Sequence, residues 1–156
     1  MKKMFLVLLL MVTAFCNAQT VTGKVVKVKD GDTVVVLDST KTMITVRLAG
    51  IDAPEKNQDY GQNAKQFTSD QIFGKVVTFK EISKDRYGRT VAFVFYEKKN
   101  LSEELLKAGL AWHYIKYDKS KYLQELEDTA RKNKTGLWSL PNPVPPSEFR
   151  KVKAKA

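Results

Sequence analysis

From residue 20 to residue 98 the chain repeats one pattern five times: a short run rich in β-branched and aromatic residues, then a turn signal. The runs cover residues 21–28, 33–37, 43–48, 76–82 and 90–96, and each is too short for anything but a strand. In the third run Ile44, Val46 and Leu48 share one face and Thr45 and Arg47 the other. The doublet Val25-Val26 breaks the alternation of the first run and predicts a β-bulge there. Asp30-Gly31 predicts a hairpin turn between the first two strands. One weakly patterned helix, residues 61–73, interrupts the series. Five short strands with one inserted helix suit a small, partly closed barrel, of which the five-stranded OB barrel is the common version that binds oligonucleotides.

The rest of the chain is helical in pattern. Asn100 with Glu103 makes a capping arrangement before Leu101, Leu105 and Ala108, and Gly109 closes that helix. Between residues 120 and 134 Tyr122, Leu123, Leu126 and Ala130 form an apolar stripe, with Gly136 as the expected stop. The expected class is α+β, mainly β: a five-stranded OB-fold barrel with three helices, in a single domain over residues 20–140 without internal repeats.

Residues 1–18 stand apart from this domain. Lys2 and Lys3 precede an apolar run from Met4 to Phe15, and Cys16-Asn17-Ala18 ends it, as in a secretory signal peptide cut before Gln19. The run falls short of the roughly 20 residues of a spanning helix. A secreted or periplasmic protein without stable membrane association after cleavage is expected; the alternatives are an uncleaved anchor or lipid attachment at Cys16. Cys16 is the single cysteine of the chain, so the mature protein has no thiol chemistry and no disulfide. The single histidine, His113, has no partner at ligand spacing and reads as a packing or surface residue; a Cys/His zinc site is excluded.

With Lys2 and Lys3 removed, 25 basic residues face 17 acidic ones, a net charge of +8 that suits a polyanionic partner. Residues 141–156 hold Arg150, Lys151, Lys153 and Lys155 behind a proline-rich stretch and carry +3 of this charge. Their low apolar content predicts a disordered tail that serves solubility or weak attraction to phosphate backbones or acidic surface polymers.

Chemistry concentrates in three segments. Asp30-Gly31-Asp32-Thr33 places two carboxylates around a glycine at a strand boundary, although a hairpin turn alone explains Asp-Gly. Arg47-Leu-Ala-Gly-Ile-Asp52-Ala53-Pro54-Glu55 delivers a guanidinium and two carboxylates to one strand end, where a salt-bridged surface loop is the plain alternative. Brought together, Asp32 and Asp52 offer the oxygen ligands that calcium or magnesium takes. Asp85-Arg86-Tyr87-Gly88-Arg89 presents two guanidiniums around an aromatic ring, a set suited to phosphate and to base stacking, or simply to a solvated hairpin.

In combination these segments resemble the thermonuclease, or staphylococcal-nuclease-like, family over roughly residues 21 to 140. Asp30 to Thr33, Arg47 and Asp52-Ala-Pro-Glu55 come first, then the run from Asp85 to Phe95. Leu106-Lys-Ala-Gly-Leu-Ala-Trp112 and Gly136-Leu-Trp138 follow in order. The resemblance implies a Ca²⁺-dependent phosphodiesterase acting on DNA and RNA and leaving 3′-phosphate products. It implies Asp32 and Asp52 as carboxylate ligands, with Ala53, at a position where the family often has threonine, serving through its main-chain carbonyl. Glu55 would be the general base or water-positioner, and Arg47 and Arg89 would clamp the phosphate. Arg86, Tyr87 and Tyr117 match positions expected to hold a neighbouring phosphate, Arg86 in place of a lysine found in some relatives.

The loop from Lys56 to Tyr60 is shorter than the basic loop of the best-known family members. Asp59 within it either approaches the metal or, the favoured reading, caps the helix beginning near Gly61. A monomer is expected. The competing readings are a non-catalytic OB-fold module that binds nucleic acid and a secreted interaction protein that uses the barrel for peptide or surface contacts. Such a module has no need of Asp32, Asp52, Glu55, Arg47 and Arg89 together, because clustered carboxylates repel phosphate unless a metal intervenes.

Overall fold

The computed structural model describes residues 20–154; the expected signal peptide, residues 1–18, lies outside the described residues. The first strand, β1 (Thr20–Asp30), organises the barrel by pairing on both sides. Its first half pairs with β5 (Val76–Lys84) and its second half with β2 (Thr33–Asp38), all antiparallel. The expected bulge is present: the register with β2 slips between Val25 and Lys27. Before it Gly23 and Val25 face inward; after it Val28 does, so inserting Val26 switches the inward parity.

The strand β3 (Met43–Leu48) pairs antiparallel with β2 and parallel with β6 (Thr90–Tyr96), through Val46 opposite Thr90 and Leu48 opposite Ala92. Since β6 also pairs with β5, the order β1-β2-β3-β6-β5 returns to β1 and closes a five-stranded barrel. The bridge β4 (Ile51–Asp52) pairs with β8 (Trp112–His113), and β7 (Lys99–Asn100) extends the edge of β6. Val25, Val34, Val36, Val46, Leu48, Phe79, Ala92 and Val94 fill the interior and are essentially inaccessible.

Helix α1 (Gly61–Ile72) lies across the β1–β2 end and buries Ala64, Thr68 and Ile72. Thr68 donates its hydroxyl to the Gly31 carbonyl at 2.6 Å. A Cβ on Gly31 would stand 2.7 Å from the Ala64 Cβ and 2.9 Å from the Ala53 Cβ, so the hairpin tip touches both α1 and the loop after β4. Helix α2 (Leu101–Lys107) opens on Asn100, whose side chain accepts the Ser102 N–H, and Gly109 just beyond its end adopts φ +63°. Helix α3 (Lys121–Lys132) opens on Ser120, which accepts the Leu123 N–H. It ends four residues before Gly136, at a turn through Lys134 with φ +52°. A satellite core of Trp112, Ala130, Leu137 and Trp138 binds α3 and a 3-10 turn (Gly136–Ser139) to the barrel, with the two indoles edge-to-face at 5.0 Å.

The class is α+β, mainly β, as expected, but with four α-helices among the described residues rather than three. The fourth, α4 (Pro146–Lys153), occupies much of the segment read as a disordered tail. Pro146 sets the first-turn φ, Glu148 lies in the first turn, and Arg150, Lys151 and Lys153 lie in the last, where each charge complements the helix dipole. Asp59 does not cap α1. Tyr60 occupies the N-cap position at φ +63° with no side-chain hydrogen bond to the helix, while Asp59 lines a 190 Å³ cleft beside Trp112 and Phe149. Among the described residues no helix is long and apolar enough to cross a membrane.

Candidate active site

Asp32 sits in the two-residue turn between β1 and β2, and its carboxylate points into the end of the barrel, not into solvent. Its Oδ2 accepts the Ala53 N–H at 2.7 Å and its Oδ1 accepts the Thr33 hydroxyl at 3.1 Å. Asp52 arrives from β4, fixed opposite Trp112 of β8. Arg47, near the end of β3, lies between the two acids: its Nη2 is 3.0 Å from Asp32 Oδ2 and 2.9 Å from Asp52 Oδ1. Its Nη1 donates to the carbonyl oxygens of Leu48 and Ile51, each at 3.0 Å. The Arg47, Asp32 and Asp52 side chains are only 12%, 9% and 4% exposed. Charges so far from water persist only when paired, and here Arg47 is divided between two anions.

The surplus of negative charge shows in the acids themselves. Burial, with the charge of Asp32 adding to it, pushes the Asp30 carboxyl up to about 6. Burial also raises Asp52; the Asp32 charge adds to this, and Arg150 and Arg47 oppose it. The donor set has the chemistry of a hard-cation site: the carboxylates of Asp32 and Asp52, brought to one arginine. Among the described residues no three His, Cys, Asp or Glu side chains group as a metal cage, so water would complete the shell of any ion held here. These residues fit calcium or magnesium and offer nothing to a thiolate- or imidazole-seeking metal.

The loop joining β5 to β6 supplies a second guanidinium. Asp85 accepts Arg89 Nε at 2.6 Å through Oδ2, and the N–H groups of Tyr87 and Arg89 through Oδ1. Burial alone would raise the Asp85 carboxyl, but these bonds and the Arg89 charge hold it below the ordinary carboxylate range. Arg89 Nη1 reaches Thr33 Oγ1 at 3.4 Å, and Thr33 in turn bonds Asp32, so the loop is linked to the buried acids. Tyr87 is 69% exposed, with the guanidiniums of Arg86 and Arg89 at 4.8 and 5.5 Å from its ring centroid. Tyr117 is exposed and packs edge-on against Tyr114 at 4.8 Å; no hydrogen bond among the described residues joins it to the acids. His113 is buried, with Nδ1 2.9 Å from Gln124 and Nε2 3.0 Å from Asp118, a packing role as expected.

Glu55 stands at the mouth of this cluster, its side chain 39% exposed. The loop that carries it is pinned by Gln58, whose Oε1 accepts the Glu55 N–H at 3.1 Å. Gly61 at the start of α1 is required here: a Cβ would lie 1.9 Å from the Glu55 carbonyl oxygen. The partner of the Glu55 carboxylate was not singled out from the sequence. Arg150, on α4, places Nη1 2.7 Å from Glu55 Oε1 and 3.2 Å from Asp52 Oδ1, and Nη2 2.9 Å from Asp52 Oδ2. Its guanidinium is raised above its ordinary value: burial opposes this, but the bonds to Asp52 and then Glu55 outweigh it. The available signal was a lone arginine among lysines, the side chain whose fork fits carboxylates.

Comparison with known proteins accords with this geometry. The family model for the staphylococcal nuclease homologue matches residues 45–140. A protein of Haemophilus influenzae named as an uncharacterized endonuclease is 40% identical over 146 residues, covering 94% of this chain and 82% of its own. An uncharacterized endonuclease of Escherichia coli O157:H7 is 43% identical over 129 residues, covering 82% and 84%. The micrococcal nuclease of Shigella flexneri is 39% identical over 145 residues, covering 86% and 83%. Matched over a stretch that carries Arg47, Asp52, Glu55 and Arg89, and 40% identical to a relative over 94% of its length, the chain belongs to the staphylococcal nuclease family.

Proposed function

We propose that this protein is an exported, calcium-dependent endonuclease that hydrolyses phosphodiester bonds of DNA and RNA and leaves 3′-phosphate and 5′-hydroxyl ends. Family membership supports hydrolysis of nucleic acid. The observation that carries the finer reading is the buried pair Asp32 and Asp52 beside Arg47, with Glu55 at the open side of the same cluster. The leader-like residues 1–18 support export.

In this reading Asp32, Asp52 and the Ala53 carbonyl hold Ca²⁺, which when bound supplies positive charge beside the reacting phosphate. Glu55 accepts the proton of the attacking water as its oxygen bonds to phosphorus. The bond from phosphorus to the 5′ oxygen breaks, and that oxygen takes up a proton and leaves as a hydroxyl. Arg47 and Arg89 donate to the non-bridging oxygens, whose charge grows during attack; positioning and neutralisation are the main demands of phosphoryl transfer. Arg86, Tyr87 and Tyr117 are exposed to receive the neighbouring nucleotide, and a monomer suffices.

The test is cleavage of single-stranded DNA by the mature chain with Ca²⁺, Mg²⁺ or chelator, beside Glu55→Gln. Cleavage should need Ca²⁺ and fall at least about 100-fold in the variant, the lower end for losing a general base, while DNA binding persists. A protein that binds DNA and never cuts it is a binding module instead. Products ending in 5′-phosphate overturn the assigned bond.

A further inference from the structure

We infer that α4 is an autoinhibitory strap whose Arg150 guanidinium competes with the active-site cation for Asp52 and Glu55. The inference rests on the reading of these two acids as ligand and base. Arg150 binds both oxygens of Asp52, at 2.9 and 3.2 Å, and one oxygen of Glu55, at 2.7 Å. With Arg47 on the remaining side, Asp52 has a guanidinium bonded to each oxygen, and a divalent cation at that carboxylate would meet a like charge within one ion pair's length. Arg150 also occupies Glu55 Oε1, on the side where a water would have to sit. Arg150 must therefore withdraw before the site can work.

The seat of α4 is suited to withdrawal. The helix has eight residues, of which Pro146 alone is buried, and the Arg150 side chain remains 42% exposed. Phe149 lines the cleft that Trp112, Leu137 and Leu140 also line, and Gln58 Nε2 donates to the Val144 carbonyl. These contacts are few beside those of α1 or α2, which places α4 among the segments that open first. Arg150 lies 98 residues from Asp52 and 95 from Glu55, so its contacts vanish as soon as the helix lifts.

The test is made on the mature chain by calorimetric titration with Ca²⁺ alone, comparing wild type, Arg150→Ala and Phe149→Ala; the last unseats α4 without touching the acids. Both variants should bind Ca²⁺ about tenfold more tightly than wild type, within the usual range of coupling between two sites. By reciprocity, saturating Ca²⁺ should speed amide hydrogen exchange across residues 146–153 in the wild type. At saturating Ca²⁺ Arg150→Ala should cleave at least as fast as wild type. Unchanged or weaker Ca²⁺ binding in both variants overturns the strap while leaving a cutting wild type as a nuclease. A fall in kcat at saturating Ca²⁺ also overturns it and makes Arg150 part of the reacting site. If wild type and variants neither bind Ca²⁺ nor cut, the nuclease reading fails and takes the strap with it.

Discussion

Replacing Gly31 by alanine tests whether the hairpin tip holds the site together. The new methyl would meet the Ala64 Cβ at 2.7 Å and the Ala53 Cβ at 2.9 Å. Both fall roughly 0.6 to 0.8 Å inside the ~3.5 Å at which carbon atoms first attract. Neither neighbour is a flexible side chain: each Cβ is bonded to the main chain, one of α1 and one of the loop after β4. Relief therefore requires moving backbone, and overpacking of this kind costs about 1 to 3 kcal/mol. The alanine restricts the unfolded chain and recovers about 0.4 to 1 kcal/mol, leaving a net loss of about 1 to 2 kcal/mol. For a domain of this size that lowers Tm by roughly 3 to 8 °C. The displaced Ala53 also donates its N–H to Asp32, so Ca²⁺ affinity should fall with stability. Thermal melting followed by circular dichroism, with and without Ca²⁺, reads both effects. Adding Ala64→Gly removes the shorter contact and should restore part of the Tm despite its own helix cost of about 1 kcal/mol. A Gly31→Ala protein that melts with wild type and binds Ca²⁺ equally well refutes the reasoning.

Two further outcomes are expected. In chelator, Asp30, raised to about 6 from 3.8, contributes stability that is present at pH 3 to 4 and lost as the pH rises through 6. Relative to wild type, Asp30→Asn should thus gain up to about 3 kcal/mol between pH 4 and pH 7 in urea unfolding; a pH-independent difference contradicts this. Glu127 is 4% exposed and accepts both the His113 N–H and Arg131 Nε; the half-exposed Arg131 can turn to water, so Glu127→Leu strands the buried His113 N–H. It should cost about 1 to 3 kcal/mol while leaving kcat of the folded enzyme intact; an unchanged urea midpoint argues that water replaces the carboxylate.

What was legible in the sequence was whatever local chemistry decides. The five strands, the bulge at Val26, the Asn100 cap and the Asp30-Gly31 hairpin each follow from a few adjacent residues. The association of Asp32, Asp52 and Arg47 was legible as a family pattern, and the barrel brings the three into contact. What stayed hidden depends on partners far along the chain. Helix α4 has little apolar content, and the contacts that seat it come from Gln58, Trp112, Asp52 and Glu55. Asp59 failed as a cap because Tyr60, at φ +63°, turns the chain into α1 by backbone geometry. Asp85 and Thr33, which hold Arg89 toward the acids, were visible as residues but not as a linkage.

The parallel joint between β3 and β6 bears on when the site assembles. Arg47 lies in that joint opposite Val91, and Arg89 directly precedes Thr90, which lies opposite Val46. A nascent chain released only as far as residue 89 has every acid of the site and yet no barrel to gather them. Parallel pairing across some 44 positions is among the last contacts a small β-protein makes, because loop closure must precede it. Until β6 docks on β3, Arg47 and Arg89 belong to separate stretches of chain and the cluster they flank does not exist.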